Sequence, residues 1–379
     1  MKIGIDVRVL LDKNYSGVAN FSFYLLKNLL KIDKSNTYSF FYNSFKSLEL
    51  PNLSEDKIEI VKTRYPNKIF NYFFQKIFNF PKLDKVIGQS DIFYSPHINF
   101  SSFSNKTKSV ITIHDLSFLR YPEFFSFRKN LWHQAINIKK NINKFDKIVA
   151  VSQNTKNDIV ELLKVPEEKV EVIYPGLPDY QADNKEWPDD YLKTKYGINS
   201  EYILCFGTIE PRKNIVGLIS AYDLLRDKGL NCLLVIVGAW GWKTKEVKKK
   251  WQSSKYKDDI KFIGYIDNEL KPLFYNQATV LAYPSFYEGF GFPPLEAMYF
   301  NLPVVASNVS SLPEVLGNSA ILVNPDKPQD LVEALELVFK DENLRNRMKI
   351  LGKERINKFS WLDTAQKYLN LFNKLNSKE

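Results

Sequence analysis

The sequence predicts an α/β fold with mostly parallel sheets, divided between two domains. Short apolar runs of strand length alternate with amphipathic helical stretches along the whole chain, the rhythm of parallel strands joined by helical crossovers. A length of 379 residues suits two domains of ordinary size, each able to bury a core. A polar stretch that begins at Pro175-Gly176-Leu177-Pro178 and runs to about Ser200 separates the halves. The expected division is residues 1–177, a linker over 178–200, and residues 201–361.

The elements follow in order. Lys2 to Val7 reads as the first strand, followed by a glycine-containing loop to Gly17 and a helix from Val18 to Leu30. Val110 to Ile113 is a buried strand that stops at His114. Lys147 to Val151 is another, and Ser152 after it suits a helix N-cap. The second half repeats the pattern with Ile203 to Phe206, Leu233 to Val237, Lys261 to Ile263, Thr279 to Ala282 and Pro303 to Ala306. Asn214 is placed to cap the amphipathic run Ile215 to Arg226. The last helix aligns Trp361, Leu362, Ala365, Tyr368, Leu369, Phe372 and Leu375 on one face.

Composition bounds the function without choosing it. Apolar residues make up 44% of the chain, a globular content. Cys205 and Cys232 both sit in apolar strand-like runs and read as buried, reduced thiols of a cytoplasmic protein. The first residues form a strand rather than an export signal, and no apolar run approaches the roughly 18 residues of a membrane span. The net charge of +10, from 53 basic and 43 acidic residues, favours anionic partners. Part of it is local: residues 241–257 hold seven lysines against Glu246, the pattern of a solvated helix face.

Two motifs carry chemistry. In the first, the strand ending at Phe206-Gly207 leads into Thr208-Ile209-Glu210-Pro211-Arg212-Lys213-Asn214. Arg212 and Lys213 stand where the helix dipole repels cations, and a bound anion explains the pair most simply. Arg offers a planar fork to phosphate and Lys a mobile point charge, so a diphosphate is the inferred ligand. In the second, Glu288-Gly289-Phe290-Gly291-Phe292-Pro293-Pro294-Leu295-Glu296 follows a strand that ends near Tyr283-Pro284. The prolines suit the start of a helix, which puts Glu288 in the loop and Glu296 in the first turn. Gly289 and Gly291 permit close approach of backbone to a ligand. The nucleophile and acid of a retaining glycosidase stand about 5–5.5 Å apart, whereas eight residues of continuous helix span about 12 Å. There is no Gly-x-Gly-x-x-Gly, which argues against a dinucleotide oxidoreductase. No Asp-x-Asp or His/Cys cluster calls for a metal, and no cofactor is expected.

Together these motifs resemble glycosyltransferase family 4, retaining enzymes of the GT-B fold that use nucleotide-sugar donors. Ile3-Gly4-Ile5-Asp6-Val7-Arg8 and Ile113-His114-Asp115-Leu116-Ser117-Phe118 are also similar to that family, most to mannosyltransferase-type members of bacterial polysaccharide pathways. The resemblance runs from the first strand to about Trp361. It implies two Rossmann-like domains facing across a cleft, with the terminal helix, residues 362–379, packing back on the first.

It also implies roles for particular residues. Arg212 and Lys213 hold the diphosphate and stabilise the departing nucleotide, with the Gly17 backbone N–H against the same phosphates. Glu296 accepts from the ribose hydroxyls. Glu288 orients the sugar, helped by backbone N–H groups from Gly289, Phe290 and Gly291. Tyr265 and Ile266 line the base pocket, and His114 lies beside the transferred sugar. His97 and His133 are read as structural. In the family, retention is explained by acceptor attack on the leaving-group side, without a covalent intermediate.

The expected donor is GDP-mannose, with UDP-sugars as the alternative. The expected acceptor is a glycan or polyprenyl-linked oligosaccharide. Residues 62–85 hold six cations, one acid and seven aromatics, with a stripe of Ile69, Phe70, Phe73, Phe74, Ile77 and Phe78. The stripe fits either a core-facing helix or docking on an anionic membrane, as a peripheral protein of the inner face. Two rival readings remain: a nucleotide-sugar epimerase or hydrolase of the same fold, and a basic nucleic-acid binder. The second needs its lysines in one stripe with interleaved aromatics, but they are scattered.

Overall fold

The computed structural model describes residues 1–11, 17–46, 58–66, 69–78, 80–178, 180 and 187–377, excluding the side chains of 72–74. Two parallel sheets form its frame. The first contains β1 (Lys2–Asp6), β2 (Thr37–Asn43), β3 (Ile58–Thr63), β4 (Ile92–Ser95), β5 (Lys108–Ile113), β6 (Lys147–Ala150) and β7 (Val170–Val172). The second contains β8 (Tyr202–Phe206), β9 (Leu233–Val237), β10 (Ile260–Gly264), β11 (Val280–Tyr283), β12 (Val304–Ser307) and β13 (Ile321–Val323). Their orders are β3-β2-β1-β4-β5-β6-β7 and β10-β9-β8-β11-β12-β13. Each sheet grows outward in both directions from its central pair, which makes it doubly wound.

Strands β8, β9, β11 and β12 are near-continuous apolar runs and are almost wholly buried, because helices cover both faces of such a sheet. Cys205 and Cys232 lie in that core, where burial pushes both thiols up to about 12. The sequence reading did not single out β2, β3, β4, β7 or β13. Strands β3, β7 and β13 are sheet edges, two of them only three residues long, so their apolar signal is weak.

The chain forms two compact units. One comprises Met1–Leu116, Arg128–Pro178 and Phe359–Glu379, the other Ser117–Phe127 and Asp179–Lys358. Residues 117–127 thus leave the half to which sequence order assigned them, and aromatic packing explains why. Phe124 stacks on Phe286 at 5.7 Å, Tyr121 meets Tyr287 edge-on at 5.8 Å, and Trp242 Nε1 donates to the Phe124 carbonyl at 2.7 Å.

The terminal helix, Trp361–Asn376, belongs to the first unit. Trp361 stacks on Tyr24 at 5.9 Å. The hydroxyls of Tyr94, Thr112 and Tyr368 form a buried chain with links of 2.8 and 2.7 Å. The buried face is Trp361, Thr364, Ala365, Tyr368, Leu371, Phe372 and Leu375. Leu362 is exposed and Leu369 only half-buried, a correction to the predicted stripe. A period of 3.6 carries the apolar face through 364 and 371 instead.

The stripe in residues 62–85 is divided. Ile69–Phe78 winds as a π-helix. Phe70 is fully buried against Phe41, while Ile77 and Phe78 are 63% and 65% exposed. Lys68 and the side chains of Phe73 and Phe74 lie outside the described residues. Part of the expected linker, residues 179 and 181–186, does so as well. Among the described residues no helix is long and apolar enough to cross a membrane.

Candidate active site

The winding of the second sheet reverses between β8 and β11. Loops leaving the carboxyl ends of two such strands diverge and leave a crevice where ligands bind. The loop after β8 carries Glu210, Arg212 and Lys213, and the loop after β11 carries Glu288. A backbone bond joins them, from Phe286 N–H to the Arg212 carbonyl at 2.8 Å.

The first loop is built locally. Gly207 has φ of +143°, and a Cβ there would stand 3.3 Å from Lys213 Cε, so the glycine lets the lysine stem lie close against the backbone. Pro211–Lys213 makes a single 3-10 turn. Asn214, in the left-handed region at φ 53°, caps the helix Ile215–Asp227. Its Oδ1 accepts from Gly217 N–H at 3.1 Å and its Nδ2 donates to the Pro325 carbonyl at 2.8 Å.

The charged groups converge. Arg212 donates through Nη1 to Glu288 Oε2 at 2.6 Å and to the Tyr287 carbonyl at 2.9 Å. Its Nε and Nη2 donate to Glu210 Oε1 at 3.2 and 2.9 Å. Lys213 donates to Glu288 Oε1 and to the Tyr283 hydroxyl, both at 2.6 Å, and lies 4.7 Å over the Tyr283 ring. Burial alone would raise the Glu288 pKa. Arg212 and Lys213 outweigh it and hold the carboxyl at about 2. The sequence reading explained the cationic pair by a bound anion alone. The structure corrects this, because Glu210 and Glu288 already stand against both cations.

Serines fix the backbone of the second loop. Glu288 N–H donates to Ser310 Oγ at 2.9 Å, and Ser311 Oγ donates to the carbonyls of Glu288 and Phe290 at 2.9 and 3.0 Å. Phe290 is buried and meets Phe292 edge-on. Gly289 precedes it in the same turn. Gly291 enters the next helix at φ +100°, where a Cβ would collide with Leu312, so glycine is required there.

That helix is Phe292–Tyr299, with prolines at its start as expected. Glu296 is its fifth residue, one position deeper than the sequence reading placed it and just past the first turn, because the helix begins at Phe292 rather than at the prolines. Its carboxylate accepts from the Tyr180 hydroxyl at 2.7 Å, the Tyr275 hydroxyl at 2.8 Å and Lys271 Nζ at 3.1 Å. Burial pushes its pKa up, but Lys271 and the hydroxyl donors together bring it below the usual value. Beyond Gly264, Tyr265 is 56% exposed and Ile266 is buried, so only the tyrosine offers an open face.

Two predicted residues lie in the first unit. Gly17 is the first residue of the helix Gly17–Ile32, and a Cβ there would meet nothing within 4 Å. His114 directly follows β5, with Nε2 2.8 Å from the Pro96 carbonyl and its ring edge-on to Phe21 at 4.6 Å. A carbonyl only accepts, so Nε2 carries the hydrogen and Nδ1 is the acceptor side of the neutral ring. Burial lowers its pKa, against the opposing pull of the Pro96 carbonyl and Asp115.

Sequence reasoning gave no role to Glu210, Tyr283, Lys271, Tyr275 or Tyr180. Glu210 had a signal, since it stands two positions before Arg212 within the same motif. Tyr283 ends the strand that feeds the second loop. Lys271 and Tyr180 meet Glu296 only through the fold.

Comparison with known proteins identifies the family. The family model described as Glycosyltransferase Family 4 matches residues 16–179, and that described as Glycosyl transferases group 1 matches residues 190–355. The O-antigen chain mannosyltransferase B of Escherichia coli is 30% identical over 285 residues, covering 74% of this chain and 72% of the relative. The serotype-specific mannosyltransferase WbdA of Escherichia coli is 30% identical over 278 residues; the match covers 71% of this chain but only 34% of that longer protein. Among solved structures, Anabaena HepE in complex with UDP and glucose superposes with a TM-score of 0.73 at 18% identity, over 99% of this chain and all of that one. With two doubly wound sheets and this site at the switch point of the second, the chain belongs to glycosyltransferase family 4 and has the GT-B fold.

Proposed function

We propose that the chain is a retaining, metal-independent hexosyltransferase that moves mannose from GDP-mannose onto a glycan or lipid-linked acceptor in surface polysaccharide synthesis. The observation that carries the proposal is the pairing of Arg212 and Lys213 with Glu288 where β8 and β11 diverge. The mannosyl specificity draws on the names of the relatives, an O-antigen chain mannosyltransferase and a serotype-specific mannosyltransferase.

In this reading Arg212 and Lys213 bind the diphosphate and stabilise the charge that grows on it as the glycosidic bond breaks. Glu288 turns to the sugar hydroxyls, and Glu296 accepts from the ribose. Tyr265, Ile266 and the backbone from Gly289 to Gly291 complete the donor pocket. Gly17 and His114 serve the phosphates and the sugar, as the family resemblance implies. The acceptor hydroxyl attacks on the leaving-group side, and the departing phosphate oxygen takes its proton. Exposed Ile77, Phe78 and Phe80 among the lysines of residues 62–85 support docking on an anionic membrane that carries the acceptor.

Thermal-shift measurements with GDP, UDP, ADP and their sugar conjugates test the donor. A ligand at a hundred times its dissociation constant stabilises by about 2.7 kcal/mol, and GDP and GDP-mannose are expected to stand out. The complex of HepE with UDP and glucose favours a second reading, a UDP-sugar donor, which a selective response to UDP would establish. Product analysis with and without acceptor separates transfer from epimerisation or hydrolysis. Turnover that needs no acceptor would refute the transferase reading.

A further inference from the structure

Glu288 spans two cations, with Oε2 on Arg212 and Oε1 on Lys213, each at 2.6 Å. A phosphate group would bridge a guanidinium and an ammonium in the same way, one oxygen to each. We propose that Glu288 is an internal competitor of the donor's diphosphate. It occupies the phosphate position on Arg212 and Lys213, yields it when the nucleotide-sugar binds, and reclaims it to expel the nucleoside diphosphate product. The proposal rests on the assignment of Arg212 and Lys213 to the diphosphate.

Three features carry it. The first is charge. Glu210 and Glu288 balance Arg212 and Lys213, so an arriving diphosphate gains little from the cluster until Glu288 turns away and leaves a net positive charge. The second is that the cations keep their places without Glu288. Arg212 is still held by Glu210 and the Tyr287 carbonyl, and Lys213 by the hydroxyl and ring of Tyr283. The third is that Ser310 and Ser311 fix the Glu288 backbone. The exchange therefore needs rotation of one side chain and no movement of the loop.

The cycle follows from this. Sugar hydroxyls offer the displaced carboxylate new donors while the nucleotide-sugar is bound. After transfer those hydroxyls leave with the acceptor, and Glu288 returns to Arg212 and Lys213 in competition with the product. Glu288 makes and breaks no covalent bond in this role.

Calorimetric titration of UDP and GDP into the full chain tests it, with stopped-flow measurement of their release. Glu288→Gln is expected to bind the responding nucleoside diphosphate on the order of tenfold tighter than the unaltered protein, and to release it more slowly. The gain should be smaller for UMP or GMP, which lack the second phosphate. Arg212→Ala is expected to weaken diphosphate binding. If it does not, the diphosphate assignment itself is wrong. If Arg212→Ala weakens binding while Glu288→Gln leaves it unchanged or weaker, the competitor role alone is wrong. Should Glu288→Gln be too unstable to titrate, Glu288→Asp carries the test. Its carboxylate is drawn back by one methylene and should tighten binding by a smaller factor, and unchanged or weaker binding would overturn the proposal.

Discussion

The pairing of Glu288 makes the stability of the second unit depend on acid in a way that can be worked out. Its carboxyl is held at about 2 against an ordinary value of 4.5. A depression of that size corresponds to on the order of 3 kcal/mol of folding stability. The sign follows from the direction: a lowered folded-state pKa means the contribution is complete above about 4.5 and is lost as the pH falls toward 2. By pH 3, about 2 kcal/mol of it should be gone. Other carboxylates titrate in the same range, so the useful quantity is the gap between the unaltered protein and Glu288→Gln. Urea titrations at pH 6 and pH 3 measure it. At pH 6 the gap should be on the order of 3 kcal/mol, a midpoint shift of about 1 M urea for a slope of roughly 2–3 kcal/mol per M. At pH 3 it should shrink to a minor fraction of that. A gap that stays the same at both pH values would show that no ionised Glu288 is paired with Arg212 and Lys213.

Glu296→Gln should cost about 2–4 kcal/mol, because it removes one partner of a buried pair and leaves Lys271 facing an amide. Lys271→Met tests the coupling: in the double variant the two losses should fall short of additive by about 1–3 kcal/mol in thermal or urea unfolding, and simple additivity would contradict the contact. Vesicles containing anionic lipid should co-sediment the protein at low salt while zwitterionic vesicles do not. Charge reversal at Lys76 and Lys82 or replacement of the exposed Phe78 and Phe80 should weaken this severalfold. Equal sedimentation with both lipids, or with none, would rule out an anionic membrane as the docking partner.

The parts of the fold legible in the sequence were those whose physics is local and redundant. Strands such as β9, read as Leu233 to Val237 and found there, announce themselves because both faces are buried. Ser152 and Asn214 were legible as caps because a short side chain before an amphipathic run has few other uses, and both accept from backbone N–H groups as expected. Edge strand β7, with three residues and one glutamate, lacks such a signal. The charged motif was legible as a list of residues but not as a network. Arg212 and Glu288 are 76 positions apart, and only the register of β8 beside β11 shows that they touch. Lys271 and Tyr180 were invisible for the same reason: nothing in their own neighbourhoods points to Glu296.

The eight-residue spacing of the two glutamates acquires a physical meaning from Gly291. Its positive φ turns the chain between them, so the carboxylates diverge to different partners. Glu288 faces the cations of the turn after β8, and Glu296 faces Lys271 and two tyrosine hydroxyls. Each has its own counter-charge, so neither raises the pKa of the other, and both stay ionised where a glycosidase pair would keep one proton. Two anions held apart in this way cannot divide the work of acid and nucleophile. In the proposed function they hold two hydroxyl-bearing parts of one ligand, while the diphosphate between those parts is assigned to Arg212 and Lys213.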